Sequence, residues 1–224
     1  MKMKILDTLT IDNSWDFKTA NTKLYTHCYH NYPAMMIPQI AERLINQYGQ
    51  NAKILFDPYC GTGTSLVEAN RKNINAIGTD LNPLARLISK TKTTKIDLQI
   101  LDLYLKEFND FLFYLNFGVN KPNIIIPDFD NIDFWFRQDI QEKLAVIQYF
   151  INNIQNSDIK NFFNVAFSET VRESSFTRNS EFKLYRMSEI QRQKFEPDVS
   201  NIMMGKLARN RRGLNEYLEQ TKGY

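Results

Sequence analysis

One stretch limits what this chain can fold into more than any other: Ile54 to Ala69, reading Ile-Leu-Phe-Asp-Pro-Tyr-Cys-Gly-Thr-Gly-Thr-Ser-Leu-Val-Glu-Ala. The apolar run Ile54 to Phe56, behind Lys53, reads as a short buried strand. A glycine-containing turn follows, and from Thr64 the spacing of Leu66, Val67 and Ala69 is helical. Strand, glycine turn and helix in that order make a ligand-binding corner. Gly61 and Gly63 allow the backbone to approach a ligand closely, and the helix N-terminus offers N–H groups to negative charge. A second acidic residue, Asp80, ends the next apolar run, Ala76-Ile77-Gly78, 23 positions after Asp57. That spacing suits a carboxylate on ribose hydroxyls in a Rossmann-type unit.

Bulk properties narrow the setting. With 224 residues and 43% hydrophobic content, the chain can bury one core, with room for a small appendage. A net charge of +3 permits nucleic-acid binding without requiring it. No apolar run reaches the roughly 18 residues of a membrane span, and the Met-Lys-Met-Lys start has no signal-peptide character. Cys28 and Cys60 are the two cysteines, which fits a reducing cytoplasm better than a disulfide framework.

Residues 1–24 show no clear period and read as an irregular lead-in. Ile40, Ala41, Leu44 and Ile45 then give one helical face, with Pro38 suited to its first turn and Gly49 to its stop. His27, Cys28 and His30, with Cys60 as a fourth ligand, invite a zinc reading, but the spacing matches no common finger. A packed or cofactor-facing cluster is the alternative. From 52 to 97 the pattern predicts strand (52–57), helix (64–72), strand (75–80), helix (83–90) and a third strand, Thr93 to Ile96. Asn82 is placed to cap the helix that Pro83 opens. Such alternation means a parallel α/β sheet.

Leu101 to Phe117 reads as a core helix, and helical periods return over 138–155, 158–170 and 198–222. The expected division is an α/β cofactor-binding region, 1–118, and a mostly helical region, 119–224. Arg172, Phe176, Arg178, Lys183 and Arg186 surround a turn signal at Asn179-Ser180, either as a phosphate- and base-contacting loop or as an ordinary surface hairpin. Lys206, Arg209, Arg211 and Arg212 form either a solvated face or one that meets DNA.

The corner resembles a known family. Asp57 to Thr64, Asp-Pro-Tyr-Cys-Gly-Thr-Gly-Thr, is similar to the first motif of S-adenosylmethionine-dependent methyltransferases that modify exocyclic amino groups of DNA bases. Gly78 to Ala85 resembles their second motif. His30-Asn31-Tyr32-Pro33-Ala34, with Pro38, resembles the segment numbered tenth, which covers the methionine end of the cofactor. The resemblance spans about residues 25–90. It implies a seven-stranded sheet, of which this chain holds the first strands, and S-adenosylmethionine as cofactor. The binding residues it implies are Thr26, Tyr32, Pro33, Asp57, Pro58, Tyr59, Cys60, Gly61, Thr62, Gly63, Thr64, Asp80 and Leu81, with Asp80 on the ribose.

Such enzymes also carry an Asp/Asn/Ser-Pro-Pro-aromatic motif, whose polar groups accept hydrogen bonds from the target amine and whose ring stacks on the flipped base. The seven prolines here stand at 33, 38, 58, 83, 122, 127 and 197, no two adjacent, so that motif is absent from these residues. The expectation is the cofactor-binding part of a split or truncated enzyme acting on double-stranded DNA, with a second subunit, in the split case, supplying the catalytic motif and the remaining strands. An RNA amino-methyltransferase component, or a non-catalytic cofactor- or DNA-binding remnant, are the alternatives. A nicotinamide dehydrogenase fits poorly, because Gly-x-Gly-x-x-Gly is not completed: Leu66 stands where its third glycine belongs.

Overall fold

The structure is a computed structural model and describes residues 12–33, 35–119, 122–178 and 183–221. Its sheet is small. Strands β1 (Ile54–Asp57) and β2 (Asn75–Gly78) run parallel, in register from Ile54 opposite Asn75 to Asp57 opposite Gly78. Helix α2 (Thr64–Arg71) is the crossover between them, and α1 (Pro38–Tyr48) packs beside it. Ile45, Ala69 and Ile74 close over Leu55 and Ala76, so one face of the sheet is covered.

The other face is bare. Ile54 is 59% exposed, Phe56 61% and Ile77 53%, which corrects the expectation of a buried first strand. The alternation of the pleat sends these side chains away from α1 and α2, and no described residue is packed against them in the hydrophobic clusters. The described residues form two strands, not seven. The expected third strand, Thr93 to Ile96, is also corrected: α3 (Pro83–Thr93) runs into it. Lys95 reaches the Thr221 carbonyl at 2.9 Å, and Asp97 accepts from the N–H groups of Gln99 and Ile100 to start α4 (Leu98–Asn116). The segment is spent between two helices, with no sheet partner.

The remaining helices are α5 (Ile132–Trp135), α6 (Gln138–Asn153), α7 (Ser157–Glu173), α8 (Glu189–Gln193) and α9 (Val199–Gln220). They share one core with the earlier part of the chain, in which Ile88, Leu101, Phe108, Ile147, Phe162 and Phe163 are all buried. Phe108 meets Phe163 edge-on at 5.6 Å between ring centroids. The core-helix expectation for α4 holds for one face: Leu101 and Phe108 are buried, whereas Leu103, Phe113, Tyr114 and Phe117 are exposed.

Helix α9 lies against the short 3-10 turn Tyr25–Tyr29. Gly213 makes this possible, since a Cβ there would fall 2.4 Å from the Tyr25 carbonyl oxygen and 2.6 Å from the Cys28 sulfur. The lead-in, from residue 12, holds a further 3-10 turn, Asn13–Trp15; its first eleven residues, like the Asn179-Ser180 turn, lie outside the described residues.

Candidate cofactor site

The glycine turn is held at both ends by backbone and carboxylate. Cys60 N–H donates to the Thr79 carbonyl and Thr79 N–H to the Asp57 carbonyl, each at 3.0 Å, which ties the end of β1 to the end of β2. Gly61 and Gly63 take φ of +50° and +78°, the left-handed region that favours glycine. Gly63 N–H closes the turn onto the Cys60 carbonyl at 2.7 Å. A Cβ on Gly63 would come within 2.9 Å of the Ser89 hydroxyl on α3, whereas one on Gly61 would meet nothing within 4 Å. Gly63 is therefore a packing glycine and Gly61 an open one.

The two acidic residues play different parts. Asp57 accepts from Tyr59 N–H at 3.0 Å and from the Ser65 hydroxyl, so it straps the turn to the first turn of α2. Asp80 accepts from Gly61 N–H at 3.0 Å and from Asn82 N–H at 2.8 Å. Each of its oxygens keeps a lone pair for a further donor. Asn82 caps α3 through Leu84 N–H, as its position in the sequence suggests, and also donates to the Tyr32 hydroxyl at 2.8 Å.

Tyr32, Pro33, Asp57, Tyr59, Cys60, Gly61, Thr62 and Thr64 line one cavity of about 170 Å³, together with Met35, Met36 and Ser65. The other expected residues stand apart from its wall. Asp80 lies behind Gly61, bonded to its N–H, Pro58 is exposed, Leu81 is 96% exposed beyond Asp80, Gly63 lies buried in the turn, and Thr26 is fully buried in the 3-10 turn. A second cavity, about 110 Å³, shares Met35, Met36 and Thr64 with the first and runs back to His27 and Lys92.

His27 and His30 are packed, as the alternative to a zinc set has it; the partners Glu68, Arg71 and Glu169 are what sequence reasoning missed. His27 Nε2 and Glu68 Oε1 are 2.7 Å apart, and Arg71 takes the other Glu68 oxygen while stacking on the Tyr25 ring. Burial lowers the His27 pKa despite Glu68, so the ring is neutral at pH 7 and donates to the carboxylate. His30 is also buried, with neither ring nitrogen hydrogen-bonded, and burial takes its pKa to about 4. Glu169 on α7 accepts from Asn31 N–H at 2.7 Å and from Arg209 at 2.6 Å, and Arg209 also donates to the Tyr29 carbonyl. Two helices from the far end of the chain thus hold the segment over the corner.

The tempting zinc set is dispersed. His27 is paired with Glu68, Cys28 Sγ faces the Arg209 carbonyl at 3.7 Å, and Cys60 Sγ lies 3.9 Å from the Ser89 hydroxyl. Among the described residues, no three His, Cys, Asp or Glu side chains are placed to share an ion. The basic residues of α9 are largely engaged within the chain: Lys206 with Glu173 and Glu169, Arg209 with Glu169, Arg211 with Asp102. Arg212 is exposed. Thr177 bridges to Arg186 antiparallel, as a hairpin would. The Arg186 guanidinium sits 3.8 Å from the centre of the Phe134 ring, and Phe176 packs on Phe195.

The chain is similar in sequence to known proteins. A family model described as DNA methylase, for N6 and N4 amino-methyltransferases, matches residues 6–90. The type II methyltransferase M.MvaI of Kocuria varians is 41% identical over 210 residues, covering 91% of this chain and 46% of that protein. M.MjaII of Methanocaldococcus jannaschii is 36% identical over 75 residues, 34% of this chain and 14% of the relative. M.BsoBI of Geobacillus stearothermophilus is 24% identical over 166 residues, 71% of this chain and 31% of the relative. The chain spans less than half the length of each. No solved structure gives a significant match. Over residues 6–90 the chain is thus similar to the N6/N4 DNA methylases, and over most of its length it is similar to part of M.MvaI.

Proposed function

We propose that this chain is the S-adenosylmethionine-binding portion of a DNA methyltransferase that methylates an exocyclic amino group of adenine or cytosine. The observation that carries the reading is the corner itself: an open glycine cradle at Gly61, Asp80 at the end of β2 with lone pairs to spare, and a cavity roofed by Tyr32 and Met36. These features suit an adenosyl amino acid. The glycine backbone admits the sulfonium end, Asp80 accepts from ribose hydroxyls, and the segment through Tyr32 excludes water from the methionine end. The cofactor, when bound, supplies the methyl group. Isothermal titration of S-adenosylmethionine into the 224-residue chain tests this, and absence of binding overturns it.

The same proposal assigns the catalytic motif to a second polypeptide. The bare sheet face formed by Ile54, Phe56 and Ile77 supports this, together with the absence of paired prolines from these residues. Exposed apolar strands invite completion by further strands and helices. We infer that the completing polypeptide lays a strand along β1 and presents its base-stacking aromatic beside the cavity. Methyl transfer to duplex DNA by this chain, alone and with the product of the adjacent reading frame, decides it. Full activity of the chain alone excludes a split enzyme. Transfer to RNA in preference to DNA would favour the RNA amino-methyltransferase alternative.

A further inference from the structure

Lys92 is the most unusual side chain near the corner. It is 0% exposed, on the inner face of α3, and lines the back of the cavity that opens past Met35, Met36 and Thr64. Among the described residues its one hydrogen-bond partner is the Thr62 hydroxyl, at 3.4 Å, and no carboxylate is paired with it. Glu68, buried nearby, has one oxygen on His27 and the other on Arg71. A buried ammonium without a counter-charge is costly to fold around. Burial accordingly pulls its pKa down to about 7. Helix α2 begins in the same wall, at Gly63, with no side chain capping it.

We propose that Lys92 is the counter-ion for a carboxylate group brought in by the ligand, and that this carboxylate is the one on the amino-acid end of S-adenosylmethionine. The inference rests on the cofactor reading above and adds a residue which that reading does not contain. Thr64 and Met36 are common to both cavities, so a ligand in the glycine cradle extends into the rear one without leaving the corner. The ammonium gains its missing partner, and the carboxylate is taken up where the uncapped start of α2 also favours negative charge. Lys92 is a binding and positioning residue with no part in the methyl transfer itself.

The test is a cycle of two ligands and two proteins, read by calorimetry. The ligands are S-adenosylmethionine and its decarboxylated analogue, which keeps adenosine, sulfonium and amine but lacks the carboxylate. The proteins are the 224-residue chain and Lys92→Met, whose fold is checked by circular dichroism. The wild-type chain is expected to bind the analogue at least tenfold more weakly, and Lys92→Met to bring the two ligands within threefold of each other. Equal affinities on the wild-type chain, or a gap that persists in Lys92→Met, overturns the proposal. Should Lys92→Met not fold, Lys92→Gln replaces it under the same criterion, and a wild-type chain that shows no gap still overturns the proposal. Failure of both ligands to bind the wild-type chain overturns the cofactor reading, and this subsite with it.

Discussion

The Asp80 carboxylate accepts the Gly61 N–H at 3.0 Å, so the residue proposed to hold the ribose also holds the glycine turn in shape. Asp80→Ala removes both functions at once. S-adenosylmethionine affinity is expected to fall by roughly 1.5–3 kcal/mol, the usual value of a hydrogen bond to a charged group, with added loss from a looser turn. Calorimetry checks it, and an unchanged Kd would remove Asp80 from the site.

Gly61 and Gly63 separate folding from binding. Both need a left-handed backbone, which costs a side-chain-bearing residue roughly 1–2 kcal/mol, but only Gly63 faces a wall, at Ser89. Gly63→Ala is expected to lower the urea midpoint more than Gly61→Ala. Gly61→Ala is expected to fold and lose cofactor affinity, because its methyl occupies the cradle. The opposite ranking of stabilities would contradict the packing described for this turn.

Glu169 joins α7, α9 and the segment over the corner through Asn31 and Arg209. Burial opposes its ionisation, but Arg209 and the hydrogen bonds prevail and hold its pKa below the ordinary carboxylate value. Glu169→Ala leaves Arg209 without its carboxylate partner and the Asn31 N–H without its acceptor. A loss of about 3 kcal/mol is expected in urea unfolding, together with weaker cofactor binding because the cover is unseated. Loss of stability with full affinity would show that the cover is positioned by other contacts.

His30 makes the fold acid-sensitive in a defined window. Its pKa is about 4 in the folded chain against an ordinary 6.5. Between those values the unfolded chain takes up a proton that the folded chain refuses, so stability falls as pH falls. From pH 7.5 to 5 the loss from this ring is about 2 kcal/mol. His30→Phe is expected to flatten the unfolding free energy over that range relative to the wild type, with His27 still contributing. Parallel pH curves for the two proteins would refute it.

The corner was legible in the sequence because its signals are local. Apolar runs gave both strands, Asn82-Pro83 marked the start of α3, and Pro38 and Gly49 bracket α1 as expected. What was not legible depends on partners far along the chain. Thr93 to Ile96 has strand-like composition, yet Asp97 caps a helix immediately after it, so no strand forms. Lys92 had a signal that went unread: it falls on the stripe of Ala85, Ile88 and Ser89, all buried, where a lysine is out of place. Arg209 looked like part of a DNA-facing row, and its engagement with Glu169 follows from helix packing that no local pattern encodes.

The contact of α9 with the Tyr25–Tyr29 turn sets the order in which the molecule can be made. Tyr25 N–H donates to Glu216, 191 residues later, and the Tyr29 carbonyl accepts from Arg209, 180 residues later. A nascent chain can pair β1 with β2 as soon as residue 78 is free of the ribosome. It cannot seat the cover of the corner until α9 has emerged, at translation rates of roughly 5–20 residues per second. For several seconds of each synthesis the glycine turn stands with its roof unattached, so the cofactor corner is among the last parts of the molecule to be completed.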